Sequence, residues 1–169
     1  MKKQKVFIFI GVAGSGKTEL VKEFAKRKKL KFYDILDIML SYIKKYGSVT
    51  EKDKSILKEV MGKYLKSFSK KKFDILEFAL GSFLPKVVKA LGDREVIVIY
   101  CNAPLKLCKE RNKKRKRNVP EHYLKYQAQF KGPFYNKLKK SLDFELITID
   151  MRQSPAVCLK ELLIKVSNK

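Results

Sequence analysis

The sequence predicts an α/β fold in which a five-stranded parallel sheet carries helices on both faces. Three observations lead there. Five short apolar runs alternate with amphipathic stretches, a glycine-rich turn joins the first run to the first helix, and no internal repeat or Pro/Ser-rich linker interrupts the series. At 169 residues with 45% hydrophobic side chains the chain is long enough to bury one ordinary core, so residues 1–169 are read as a single domain.

The first run, Val6-Phe7-Ile8-Phe9-Ile10, is apolar without alternation, as a strand covered on both faces must be. It leads into Gly11-Val12-Ala13-Gly14-Ser15-Gly16-Lys17-Thr18, which fits G-x-x-x-x-G-K-[ST] with no mismatch. Leu20, Val21 and Phe24 then recur at helical spacing among charged residues, so a helix starts near residues 15–17. Strand, glycine turn and helix together make an anion site. The backbone of Gly11, Ala13, Gly14, Ser15 and Gly16 wraps phosphate oxygens, with N–H groups and the positive end of the helix dipole aimed at them. In that setting Lys17 reaches the β- and γ-phosphates, Thr18 binds Mg²⁺, and Glu19 opens the helix beside the nucleotide.

Residues 30–33 form a candidate second strand, and apolar residues at 35, 36, 39, 40 and 43 predict a helix that starts at 34–37. An acid at the carboxyl end of a parallel strand faces the ligand crevice. Asp34 and Asp37 are therefore candidates to accept a proton from a substrate hydroxyl, or else to cap the helix. Residues 51–69 read as a basic amphipathic helix whose outer lysines can follow a phosphate backbone. A third strand is expected over 71–78 with Glu77 near its end, where an acid holds the magnesium shell or contacts substrate.

A helix over 81–91 admits Pro85 in its first turn, and 95–100 is the clearest strand. From Pro104 a helical pattern runs into a dense basic stretch that ends at Pro120. On that helix Arg111 and Arg115 share a face at i, i+4, placed to close over a triphosphate and neutralise charge that develops during transfer. Residues 123–138 continue as an aromatic-rich helical segment with a break near 131–135. Residues 145–150 make the fifth strand, and Ser154-Pro155 starts the last helix.

The net charge of +23 draws polyanions and makes nucleic acid a candidate partner. The compositional alternative is a lysine-rich solvated surface, because only six of the forty basic residues are arginine. Cys101, Cys108 and Cys158 are odd in number and lack metal-ligand spacing, so they read as core thiols, and His122 reads as a surface residue. No apolar run is long enough to span a bilayer, and the one that follows the basic N-terminus ends in the phosphate turn. The expectation is a soluble, cytoplasmic protein.

With these motifs in order, the chain resembles the small P-loop kinases of the nucleoside-monophosphate-kinase-like superfamily. Arg111-Asn112-Lys113-Lys114-Arg115, then Val119-Pro120, Phe130 and Pro133, resembles the lid of polynucleotide 5′-hydroxyl kinases and seryl-tRNA kinases, placing a lid over about 111–121. The resemblance implies that Asp37, twenty residues beyond Lys17, is the general base and ranks above Asp34. It implies that Arg115 stabilises the transferring phosphoryl group and that residues 150–155 pack the adenine. Two positions depart from the pattern. Leu40 stands where such families usually carry an arginine, and the third strand ends in Glu77-Phe78-Ala79-Leu80, closer to small-molecule kinases. The reading is an ATP- and Mg²⁺-dependent kinase acting on a hydroxyl, foremost the 5′-hydroxyl of RNA or DNA. A nucleoside, nucleotide or other small molecule is the alternative acceptor; a nucleic-acid-binding ATPase with no acceptor is a second alternative.

Overall fold

The computed structural model describes residues 3–34, 41, 44–45, 54–115 and 118–168. Its five strands are β1 (Lys5–Ile10), β2 (Phe32–Tyr33), β3 (Ile75–Phe78), β4 (Glu95–Asn102) and β5 (Glu145–Asp150). They pair in parallel in the order β2-β3-β1-β4-β5, as the alternation of apolar runs with helices predicts. The helices described are α1 (Lys17–Lys28), α2 (Lys54–Ser67), α3 (Leu84–Leu91), α4 (Leu105–Lys113), α5 (Glu121–Gln127), α6 (Gly132–Lys139) and α7 (Pro155–Ser167).

Central β1 explains why its sequence is apolar throughout. Val6, Ile8 and Ile10 pack with Tyr64 of α2, Leu84 and Val87 of α3, and Tyr135 of α6. Phe7 and Phe9 point the other way, against Leu20, Val21 and Phe24 of α1 and Cys158 and Leu162 of α7. Phe24 is fully buried with its ring 5.1 Å from that of Phe7, edge-on. Burial of such a side chain contributes about 1.5–3 kcal/mol.

The registers Ile10 to Phe78, Ile10 to Tyr100 and Asn102 to Asp150 bring the carboxyl ends of β3, β1, β4 and β5 to one edge. The turn after β1, Glu77 on β3 and the segment after β5 therefore converge there, at the edge where open α/β sheets hold their ligands.

Several elements differ from their expected form. The third strand covers only Ile75–Phe78; just before it, the Asp74 N–H donates to the Lys31 carbonyl and its Oδ2 accepts the Lys31 N–H, both at 2.8 Å. The stretch 81–91 divides into a 3₁₀ turn over Gly81–Phe83 and α3, with Pro85 in the first turn of α3. Helix α4 stops at Lys113, so Arg115 lies beyond it and the expected shared helical face with Arg111 does not form. The cause is Asn112, buried to 5% exposure, whose Nδ2 donates to the Val119 carbonyl at 2.9 Å and whose Oδ1 accepts the Val119 N–H at 3.1 Å. Those bonds fold the basic stretch back on itself. The helix break expected near 131–135 falls earlier, over 128–131 between α5 and α6.

The helix expected from 34–37, with Asp37 and Leu40, lies outside the described residues. Cys101, Cys108 and Cys158 are free and buried, and His122 is exposed. Among the described residues no helix is long and apolar enough to cross a membrane.

Candidate active site

Two glycines shape the turn between β1 and α1. Gly14 has φ +85° and Gly16, the N-cap of α1, has φ +94°, the left-handed region where a side chain is strained. A Cβ on Gly14 would also collide with the carbonyl of Cys108 on α4, so the turn and α4 touch backbone to backbone. Beneath them Val12 and Ala13 pack with Cys108 and with Leu124 of α5.

Lys17 projects from the first turn of α1 into this edge. Its Nζ lies 3.4 Å from the Val12 carbonyl and 3.9 Å from Glu77 Oε1, with the side chain 8% exposed. Burial pushes the Lys17 ammonium below its ordinary pKa; the Glu77 carboxylate opposes that shift and the nearby Arg115 charge adds to it. Thr18 Oγ1 donates to the same Glu77 oxygen at 2.6 Å. The lysine, the hydroxyl and the carboxylate, chosen separately from the sequence, thus form one cluster.

The cluster has the chemistry of half a magnesium site. A hydroxyl and a carboxylate are hard oxygen donors, and Mg²⁺ is commonly held by one or two protein groups together with phosphates and water. Among the described residues no group of three or more His, Cys, Asp and Glu side chains could hold a metal by itself. Thr18 and Glu77 fit magnesium that arrives with a nucleotide.

Beside the cluster opens a cleft of about 370 Å³. Gly14, Gly16, Lys17, Thr18 and Glu19 line one wall; Arg111, Lys114 and Arg115 line the second; Met151, Gln153, Pro155 and Cys158 line the third. The third wall follows β5, where the resemblance places the adenine-packing segment. Of the nucleotide-binding residues expected from the sequence, Gly14, Gly16, Lys17, Thr18, Glu19, Arg111 and Arg115 line the cleft.

Three expected site residues take other positions. Arg111 is built into the wall: Nη1 donates to the Ser15 carbonyl at 2.9 Å and Nη2 to the Met151 carbonyl at 3.3 Å. Its fork joins the glycine turn to the segment after β5, while Arg115 stands exposed at the mouth. The Ala13 N–H donates to Gln127 Oε1 at 2.8 Å, so that amide is already engaged. Asp34 follows β2 outside the cleft lining, close enough to Tyr64 for its charge to raise the phenol's pKa further, after burial and Tyr33.

Sequence reasoning missed Gln127, which no local signal marks. Met151 and Gln153 fall within the segment 150–155 that the resemblance gives to the adenine, and Lys114 within the basic lid stretch, though none of the three was singled out.

No protein-family model matches the sequence, and comparison with curated proteins finds no match. Solved structures do share the fold. A gluconokinase from Sinorhizobium meliloti 1021 superposes with a TM-score of 0.65 at 14% identity, covering 99% of this chain and 94% of that one. A shikimate kinase from Acinetobacter baumannii, in complex with shikimate, gives 0.66 at 20% identity over 98% and 94%. A deoxyadenosine kinase from M. mycoides with bound dATP gives 0.64 at 17% identity over 96% and 99%. These three kinases share the fold of this chain.

Proposed function

We propose that the protein is a kinase that transfers the γ-phosphate of ATP to a hydroxyl group of a small molecule. The observation that carries this reading is the convergence of Lys17 and Thr18 on Glu77 at the lip of the cleft, at 3.9 and 2.6 Å. A glycine turn that only joined a strand to a helix would have no use for that cluster.

In this reading the turn's free amides and Lys17 hold the β- and γ-phosphates, and the third wall of the cleft packs the adenine. Thr18 and Glu77 hold Mg²⁺, which supplies charge neutralisation on the phosphates. Arg115 approaches the transferring group from the mouth, and Arg111 keeps the wall in place. Asp37, assigned by family resemblance, takes the proton from the acceptor hydroxyl. Gluconokinase, shikimate kinase and deoxyadenosine kinase are names of enzymes for small hydroxyl-bearing molecules, which favours that acceptor class.

A second reading, transfer to the 5′-hydroxyl of RNA or DNA, is favoured by the net charge of +23 and by the lid resemblance around Arg111 and Arg115. One experiment separates the readings: transfer of label from γ-labelled ATP to a panel of sugars, sugar acids, nucleosides and nucleoside monophosphates, beside 5′-hydroxyl oligonucleotides. Labelled small molecule supports the proposal. Labelled oligonucleotide alone, absent when its 5′ end is already phosphorylated, replaces it with the second reading. ATP hydrolysis stimulated by nucleic acid, with no transfer to any acceptor, replaces both with a nucleic-acid-binding ATPase.

A further inference from the structure

Gln127 belongs to no motif, yet it makes one of the longest-range polar contacts in the molecule. Its Oε1 accepts the Ala13 N–H at 2.8 Å, across 114 residues, at the last position of α5. Ala13 is 6% exposed, so without Gln127 its N–H would lose its partner in a mostly buried position. A second contact runs from the same part of the chain to the same turn. Arg111, near the end of α4, donates to the Ser15 carbonyl at 2.9 Å. The two grips fall on residues two apart, Ala13 and Ser15.

Between Arg111 and Gln127 lies the basic stretch that carries Arg115. Asn112 cinches it through the two bonds to Val119, and Lys109 ties α4 to α5 through Glu121 at 2.7 Å. The described residues on either side of that stretch are thus tied to the glycine turn, by Arg111 and by Gln127. Arg115 lines the cleft from that stretch, near enough to Lys17 for the two cations to repel. In the nucleotide-binding reading Lys17 reaches the β- and γ-phosphates, and Arg115, exposed on the second wall, adds a charge for the γ-phosphate alone.

We propose that Gln127 is a positioning residue: by holding the Ala13 amide it sets Arg115 against the outermost phosphate and so gives the site its preference for a triphosphate over a diphosphate. The proposal rests on the nucleotide-binding reading of the cleft and is independent of the acceptor. It acts through Arg115, so the two residues must be coupled. A side chain that merely supported the turn would affect both nucleotides alike.

The test is a double-mutant cycle on the full chain, reading ATP and ADP affinity by calorimetry in magnesium. Gln127→Met keeps length and volume but removes the acceptor; Gln127→Asn keeps the carboxamide but cannot reach. Each should weaken ATP binding by roughly tenfold while ADP binding stays close to wild type, which also reports a retained fold. Arg115→Ala should do the same, and adding Gln127→Met to it should change ATP affinity by less than about twofold. Unchanged discrimination in the Gln127 variants, equal loss for ATP and ADP, or full additivity with Arg115→Ala overturns the proposal. Wild-type protein that binds neither nucleotide removes the reading of the cleft as well, a result distinct from wild-type binding that the Gln127 variants leave intact.

Discussion

Thr18 and Glu77 share a hydrogen bond of 2.6 Å that joins the first turn of α1 to β3, across 59 residues of sequence. It brings a hydroxyl and a carboxylate together beside Lys17, the two oxygen donors that the proposed magnesium site would use.

Replacing Glu77 by Gln keeps the shape and the contact to Thr18 but removes the charge. Groups that orient or support a metal typically contribute 10–100-fold to its affinity, so the magnesium concentration for half-maximal activity should rise by about that factor. ATP affinity measured in EDTA should change little by comparison. A magnesium dependence identical to wild type would remove Glu77 from the metal shell.

Gly14→Ala meets two obstacles at once, a φ of +85° and the Cys108 carbonyl that its Cβ would strike. Left-handed strain alone is of order 1–3 kcal/mol, and α4 must also move away. Chemical denaturation should show a loss of at least about 2 kcal/mol. Nucleotide binding should fail even where the variant remains folded. A variant as stable as wild type would mean that the turn and α4 are not in fixed contact.

Asn112→Ala removes both bonds that fold the basic stretch back to Val119 and leaves the Val119 peptide without its side-chain partner. The cost should be about 2–3 kcal/mol for two part-buried hydrogen bonds. The sharper readout is trypsin. Cleavage after Lys113, Lys114 or Arg115 should become several-fold faster than in the native protein, since local opening controls it. Equal cleavage rates would show that Asn112 does not restrain the loop.

Arg152 grips Asp150 through its guanidinium and its backbone N–H, and these bonds hold the Asp150 carboxyl at about 2, below its ordinary 3.8. A carboxyl depressed in the folded state stabilises above its unfolded pKa and loses that contribution as pH falls toward the folded value. The window is therefore acidic, between 3.8 and about 2. Because Arg152 is 69% exposed, solvent screening keeps the effect on stability small. Carbon-detected titration should place the Asp150 midpoint near 2 in the native protein and higher in Arg152→Gln, though still below 3.8 because the backbone N–H bond is kept. A midpoint that stays low in the variant would assign the shift to something other than Arg152.

Much of the architecture is legible in the sequence alone. The strands around residues 6–10, 95–100 and 145–150, the helix after the glycine turn and the parallel α/β class all follow from runs a few residues long. In such runs burial and periodicity act on neighbours in sequence. Lys17, Thr18 and Glu77, which the motif and the strand end each single out by a local signature, come together in one cluster.

What tertiary structure decided is where those side chains meet. Helical periodicity put Arg111 and Arg115 on one face, but a single buried Asn112 bonded to Val119 outweighs the pattern, ends α4 and sends the two arginines to different tasks. The contact partners Thr18 and Glu77, Arg111 and Ser15, and Gln127 and Ala13 lie 59, 96 and 114 residues apart. Each bond exists only after the sheet has taken its β2-β3-β1-β4-β5 order and brought the strand ends to one edge. Propensity and patterning act over one or two turns of chain, so the sequence by itself determined the elements and the residues of the phosphate turn. The pairings that build the cleft are set by the packing of the whole sheet, because hydrogen-bond geometry is satisfied or lost over less than an ångström.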